Sequence, residues 1–141
     1  MRPEILFPLF AAIGVLPGVG PRIGKLLEGL AGPAVVDLCW HLPSGLIDRR
    51  YAPKLGAAEA ERIATLTVRV GAHAPARSPR QPYRIRASDD TGEIDLVFFH
   101  ARPDYLAKVL PEGEVRVVSG RIEVFGGRLQ MTHPDHIGRL E

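Results

Sequence analysis

Apolar and polar residues alternate along much of the chain after residue 62, which is typical of β-strands that bury one face. Leu66, Val68 and Val70 alternate with polar residues, and further on Ile94 and Leu96 follow the same rule. Side chains two residues apart in a strand share a face, so we expect these apolar sets to meet in one core. The residues predicted inside are Leu66, Val68, Val70, Ile85, Ile94, Leu96, Phe98, Val117 and Ile122.

The interruptions between these runs predict how the strands connect. A polar, proline-rich loop covers 73–82, a turn covers 89–92, and a helical patch covers about 104–110. The apolar parity changes at Ser119-Gly120, which predicts a bulge or a sharp coil in the fourth strand, and Gly126-Gly127 predicts a two-residue hairpin. Five strands in this layout predict a mainly β chain, a five-stranded OB-fold barrel preceded by a short helical segment, α+β overall.

The first 44 residues have a helical pattern. Pro21 suits the first position of a helix, and Ile23, Leu26, Leu27 and Leu30 follow at helical spacing. A second helix is expected from about Ala34 until shortly before Pro43. We therefore predict a helical N-terminal segment with a connector over 1–61, resembling a helix-hairpin-helix, and an OB-fold domain over 62–141.

Composition narrows the compartment and the class of partner. The apolar run from Ile5 to Val15 is too short to span a bilayer and lacks a signal-peptide pattern, so we expect no membrane contact. The single cysteine, Cys39, is expected to be a small core residue, and the cytoplasm is the expected compartment. Six arginines and no acid occur from Arg62 to Ser88, which indicates either a basic face for a polyanion or a solvated strand face.

Signatures of catalysis are missing from the sequence. It contains no G-x-x-x-x-G-K-[ST] loop for nucleotide phosphates, and no cysteine pair or carboxylate pattern completes a metal site around His133 and His136. Asp89 and Asp90 suit a turn better than acid–base chemistry. We expect no catalytic residue, no metal and no cofactor in this chain.

Two features are compatible with nucleic-acid binding. Gly18 and Gly20 precede a helix and could bring backbone N–H groups to a phosphate, although a plain helix start fits equally well. Phe99 faces away from Ile94 and Leu96 by strand alternation, so it could stack on a base. The alternative is that the N-terminal helices cover Phe99.

Taken together, the motifs resemble RecG helicases in identity and order. They are Leu16-Pro17-Gly18-Val19-Gly20-Pro21-Arg22, Val36-Asp37-Leu38, His41-Leu42-Pro43, Ile47-Asp48-Arg49, Asp89-Asp90-Thr91-Gly92, Phe98-Phe99, Gly120-Arg121 and Gln130-Met131-Thr132-His133-Pro134. The resemblance covers almost the whole chain. It implies the wedge domain of an ATP-dependent DNA helicase of recombination and repair, which splits strands at stalled replication forks and Holliday junctions.

The resemblance also implies roles and partners. Phe99 and Tyr105 would stack on bases at the branch point. Motor domains of the same polypeptide would hydrolyse ATP with Mg, and the protein would be a bacterial, nucleoid-associated monomer in the cytoplasm. Backbone contacts would come from Arg77, Arg80, Arg84, Arg86 and Arg102. The alternatives are a general OB-fold module for single-stranded nucleic acid or RNA, and an OB domain for protein–protein interaction.

Overall fold

The structure is a computed structural model that describes residues 3–140. The chain divides into two compact units, one ending at Leu46 and the other beginning at Ile47. Residues 47–61, which we grouped with the helical segment, belong to the second unit. No helix within the described residues is long and apolar enough to cross a membrane.

The first unit is helical, as predicted. It contains two short 3₁₀ helices, Glu4–Phe10 and Ile13–Val15, followed by α1 (Pro21–Leu30) and α2 (Val35–Trp40). Pro21 occupies the first turn of α1, where a missing N–H is tolerated. The carboxylate of Asp37 accepts the backbone N–H of Ala34 at 2.8 Å and so caps α2.

The apolar side chains of the first unit are mostly exposed. Ile13 is fully buried, but Leu26, Leu30 and Trp40 are 60–75% exposed. Cys39 is exposed too, so its expected core position is wrong. The reason is that α2 is only six residues long and buries Val36 alone.

The second unit contains β-strands and one α-helix. The strands are β1 (Ile63–Ala74), β2 (Tyr83–Ser88), β3 (Glu93–Phe98), β4 (Val115–Arg121), β5 (Glu123–Phe125), β6 (Arg128–Thr132) and β7 (His136–Arg139). Helix α3 (Pro103–Val109) lies between β3 and β4, and a 3₁₀ turn covers Leu55–Ala57. Neighbours in the sheet follow the order β5-β6-β3-β2-β1-β4-β7, antiparallel except for β3 with β6.

The prediction of five strands in a closed barrel is wrong in number and in closure. The fourth strand predicted from the sequence is divided at Ile122 into β4, which pairs with β1, and β5, which pairs with β6. Strand β7 had no sequence signal that we recognised. Among the described residues no pairing joins β5 to β7, so the hydrogen-bonded sheet is open.

The predicted core is correct at eight of its nine positions. Val117 is the exception, since Val118 is fully buried and Val117 is only half-buried. Arg116 is also buried on this side, where its guanidinium donates to the carbonyls of Val109 and Val115 and pairs with Glu114. We had expected apolar side chains at the inward positions of this strand, but Arg116 occupies one of them because its guanidinium has these partners.

The expected irregularity at Ser119-Gly120 does not interrupt the pairing. Strands β1 and β4 stay in register from Arg69–Val115 to Ile63–Arg121, and the bulge lies in β1 between Val70 and His73. Gly120 is needed for close approach instead, because a Cβ there would lie 2.9 Å from Sδ of Met131. The hairpin at Gly126-Gly127 is confirmed, with both residues at positive φ between the paired Phe125 and Arg128.

The connector residues pack onto the same sheet. Asp89 closes the β2–β3 turn by accepting hydrogen bonds from the N–H groups of Thr91 and Gly92, and it also accepts the N–H of Leu55. Burial raises the pKa of the Asp89 carboxyl, but these bonds and that of the Thr91 hydroxyl outweigh it and lower the pKa below its usual value. Asp89 thus joins the connector to the turn.

Candidate nucleic-acid interface

The loop that joins β1 to β2 places two arginines in solvent. Arg77 and Arg80 lie in this loop, residues 75–82, and both are exposed. Within residues 3–140 no carboxylate lies within 4 Å of either guanidinium. Their charges are therefore available to an external anion.

The same loop faces the segment that follows β3. The loop and this segment border a cavity of about 340 Å³, which is lined by loop residues and by His100, Ala101 and Pro103. A neighbouring cavity of about 380 Å³ is lined by both Arg77 and Arg84. The fold therefore brings the arginine loop together with the end of β3 and with the outer face of β2.

Phe99 lies in the turn directly after β3 and is 47% exposed. Strand parity predicted an exposed Phe99, and Phe98 before it is 8% exposed and belongs to the core. Val97, on the face predicted for Phe99, is also buried, so the exposure of Phe99 follows from its place in the turn. His100 follows with φ of 54°, a left-handed conformation that turns the chain sharply after Phe99. The ring is therefore accessible to a ligand, and its stacking role stays a prediction.

His133 contacts Phe99 and was not among the predicted site residues. Its Nε2 accepts the backbone N–H of Phe99 at 3.1 Å, and the two ring centroids are 5.8 Å apart. Sequence reasoning had considered His133 only as a metal ligand. Among residues 3–140 no group of three His, Cys, Asp or Glu side chains could hold a metal ion.

Arg102 and Tyr105 continue this surface into α3. Arg102 precedes the first residue of the helix, and it too has no carboxylate within 4 Å in the described part of the chain. Tyr105 is 58% exposed on the helix, whereas Leu106 beside it is buried in the core. Both side chains can reach a ligand without a change in fold.

Arg84 and Arg86 differ from the other predicted arginines because acids of β3 partly neutralise them. Arg84 lies 3.6 Å from Asp95, and Arg86 lies 3.7 Å from Asp95 and 3.9 Å from Glu93. The register explains this, since Arg86 is directly opposite Asp95. The arginine-rich stretch therefore is not a uniformly basic face.

A polar cluster lies beyond β3 on the neighbouring strands. The Glu123 carboxylate accepts hydrogen bonds from Gln130 and Thr132, each at 2.9 Å, and these bonds lower its pKa. Phe125 and Arg128 stand at the hairpin end, exposed. Glu123 and Arg128 offset each other in charge on this side of the sheet.

The glycine turn lies in the first unit. Gly18 has φ of 81°, which favours glycine, whereas Gly20 is extended and caps α1. Gly20 lines a cavity of about 380 Å³ that also contains Lys25. Phosphate binding at this turn stays a prediction.

The comparisons with known proteins agree on the fold. The family described as an OB-fold nucleic acid binding domain matches residues 64–136, more than half of the chain. The ATP-dependent DNA helicase RecG of Aquifex aeolicus (strain VF5) is 26% identical over 109 residues, covering 77% of this chain and 14% of the helicase.

Two solved structures illustrate the range of similarity. A RecG bound to a three-way DNA junction is 22% identical with a TM-score of 0.78, covering 94% of this chain and 18% of that one. A domain of replication protein A from Methanococcus maripaludis is 21% identical with a TM-score of 0.46, covering 64% of this chain and 96% of that domain. The similarity to RecG helicases is thus confirmed, and the chain belongs to the family of OB-fold nucleic acid binding domains.

Proposed function

We propose that this chain is the wedge part of a RecG-like DNA helicase, which binds branched DNA and splits its strands at the branch point. The chain spans about a seventh of the curated relative that it matches, 14% of its length. The motor domains, with their ATP and Mg, would belong to the remainder of such a polypeptide. Stalled replication forks and Holliday junctions in recombination and repair are the proposed targets, acted on by a monomer in the bacterial cytoplasm.

The observation that carries this proposal is an exposed aromatic ring at the end of β3 together with exposed arginines that have no carboxylate partner among residues 3–140. Phe99 is 47% exposed and directly follows Phe98, which pairs with Tyr83 at the point where the loop of Arg77 and Arg80 ends. Arg102 follows Phe99 by three residues. Aromatic faces accept any base and arginines neutralise phosphates, so the set suits DNA binding that does not read sequence.

The arrangement also suits a branch better than a continuous duplex. Bases are accessible for stacking only where the two strands separate, and an exposed ring gains about 1–3 kcal/mol per stacked base. The exposed arginines of the β1–β2 loop would hold the phosphates of the strand that leaves the duplex. The chain would thereby keep separated strands from closing while a motor moves the DNA.

The test is binding of the 141-residue chain to a three-way junction, a linear duplex, a single strand and an RNA hairpin, each at two salt concentrations. We expect the junction to bind most tightly, with an affinity that falls steeply as salt rises because phosphate contacts release counterions. Equal affinity for junction and duplex would contradict the wedge role. Preference for an RNA hairpin over the junction would support an RNA module, and no salt-dependent binding to any nucleic acid would support a protein-interaction domain.

Variants at single aromatic residues locate the contact. Phe99→Ala and Tyr105→Ala should each weaken junction binding by about 1–3 kcal/mol. Phe125→Ala is the matched control, because Phe125 is 65% exposed at the hairpin end of the sheet. Equal losses at Phe125 and Phe99 would refute the assignment of the site to the end of β3.

A further inference from the structure

We infer that His133 is a positioning residue that holds the ring of Phe99 in the orientation needed to stack on a branch-point base. This inference rests on the proposed function, because it assigns His133 a role in the same site. His133 lies after β6, 34 residues beyond Phe99 in the sequence.

Two hydrogen bonds join His133 to the end of β3. Its backbone N–H donates to the carbonyl of Val97 at 2.8 Å, and its ring Nε2 accepts the N–H of Phe99 at 3.1 Å. A nitrogen that accepts carries no proton, so the neutral ring has its proton on Nδ1. The backbone on both sides of Phe98 is thereby held by one residue.

The imidazole ring also contacts both phenylalanine rings. Its centroid lies 6.1 Å from that of Phe98 in an edge-to-face arrangement and 5.8 Å from that of Phe99 at a tilt of 40°. Phe98 is 8% exposed and fixed in the core, whereas Phe99 is 47% exposed. His133 therefore links the exposed ring of Phe99 to a ring that is buried in the core.

The backbone of His133 adopts a conformation that serves this placement. Its φ is 47°, in the left-handed region that non-glycine residues seldom occupy. Such strain persists where the surroundings hold it and is often found at functional sites. Here it directs the imidazole back over the end of β3.

A fixed ring binds a base at a smaller entropic cost than a freely rotating one. Side chains that become ordered on binding lose rotamer freedom, and pre-organisation removes part of that loss. His133 would thus raise junction affinity without contacting the DNA. The contribution of His133 to junction affinity should therefore disappear when Phe99 is replaced.

The experiment uses the 141-residue chain and a three-way junction with 2-aminopurine at the branch point, whose fluorescence falls when it stacks. His133→Asn tolerates the left-handed backbone but its carbonyl is too short to reach Phe99, whereas His133→Gln retains an acceptor at the distance of Nε2. We expect His133→Asn to reduce the quenching at saturating protein and to weaken binding roughly 3- to 10-fold, the range of one lost hydrogen bond. His133→Gln should restore most of both signals.

Controls separate positioning from folding and from the proposed function. His136→Asn makes the same exchange three residues away and should leave quenching and affinity unchanged. Phe99→Ala/His133→Asn should bind no more weakly than Phe99→Ala alone, because coupled residues are not additive. If folded His133→Asn quenches the fluorescence as strongly as the wild-type chain while Phe99→Ala still binds the junction weakly, the inference about His133 is overturned and the stacking site stands. If Phe99→Ala binds the junction as tightly as the wild-type chain, both the inference and the stacking site are overturned.

Discussion

Replacing Asp95 with Asn would test whether Arg84 and Arg86 can contact DNA phosphates. Asp95 is 15% exposed and lies 3.6 Å from Arg84 and 3.7 Å from Arg86. Asparagine has nearly the same shape but no charge, so the exchange removes the acidic partner of Arg84 and one of the two acidic partners of Arg86. We expect Asp95→Asn to bind the junction more tightly at low salt than the wild-type chain.

The magnitude follows from the geometry of the pairs. Their distances of 3.6–3.9 Å exceed the roughly 2.7–2.9 Å of a strong charge-assisted bond, so the pairs hold the arginines weakly. Partly exposed pairs of this kind contribute about 0.2–1 kcal/mol to stability, and the variant should remain folded. Each new duplex phosphate contact steepens the logarithmic salt slope by about 0.9, so two released arginines give up to about 1.8.

The assay measures junction affinity at several salt concentrations between about 50 and 200 mM. Over that range an added slope of about 1.8 corresponds to a roughly tenfold additional loss of affinity. Glu93→Gln is the matched control, since the one ion pair that Glu93 makes among residues 3–140 is with Arg86, at 3.9 Å. It should change the slope by half as much or less. Asp95→Asn combined with Arg84→Gln should return the slope towards that of the wild-type chain. An unchanged slope in folded Asp95→Asn would refute phosphate binding by these two arginines.

Three further predictions concern stability. Gly120→Ala should lower the free energy of unfolding in urea by about 1–3 kcal/mol, because its Cβ would lie 2.9 Å from buried Met131. Gly29→Ala has open space around the new methyl group and should instead stabilise α1 by roughly 0.5–1 kcal/mol. Equal effects at the two glycines would contradict this account. Burial raises the pKa of Asp89, but the hydrogen bonds that it accepts lower this pKa overall, so the stability that Asp89 contributes is present above its unfolded pKa near 3.9 and is lost as pH falls through the lower folded pKa. In acid titrations the difference in unfolding free energy between the wild-type chain and Asp89→Asn should therefore close over that range. A difference that stays constant with pH would refute this account. Tyr83→Phe should cost about 0.5–1.5 kcal/mol in the same urea assay, since its hydroxyl lies 2.9 Å from Nδ1 of His73, and no loss would show that the bond contributes nothing.

Local patterns predicted most of the strands and the core. The alternation in β1 to β3 identified Leu66, Ile85 and Leu96 as buried because neighbouring strand residues point to opposite faces whatever the rest of the fold does. The same rule failed at Val117, where the guanidinium of Arg116 finds carbonyl partners inside. No alternation pattern can anticipate such partners, because they come from α3 and from the backbone.

The candidate site was predicted only in part. Phe99 was expected outside the core from its position after Phe98, and its exposure agrees with that expectation. His133 was missed, since nothing in the local sequence links it to Phe99. The one available signal was its place in the Gln130–Pro134 motif, which indicates that the residues matter without indicating what they touch.

The sequence by itself determined the class of fold, the positions of most strands and turns, and the membership of a nucleic-acid-binding family, because these follow from periodicity and from short motifs. Only the tertiary structure decided which cations are free. Arg86 and Asp95 are nine residues apart but directly opposite in the β2–β3 register, while Arg77 and Arg80 remain in a loop away from acids. The tertiary structure also brought His133 to Phe99. Charge pairing and ring contacts depend on which strands become neighbours, and that is a property of the folded sheet as a whole.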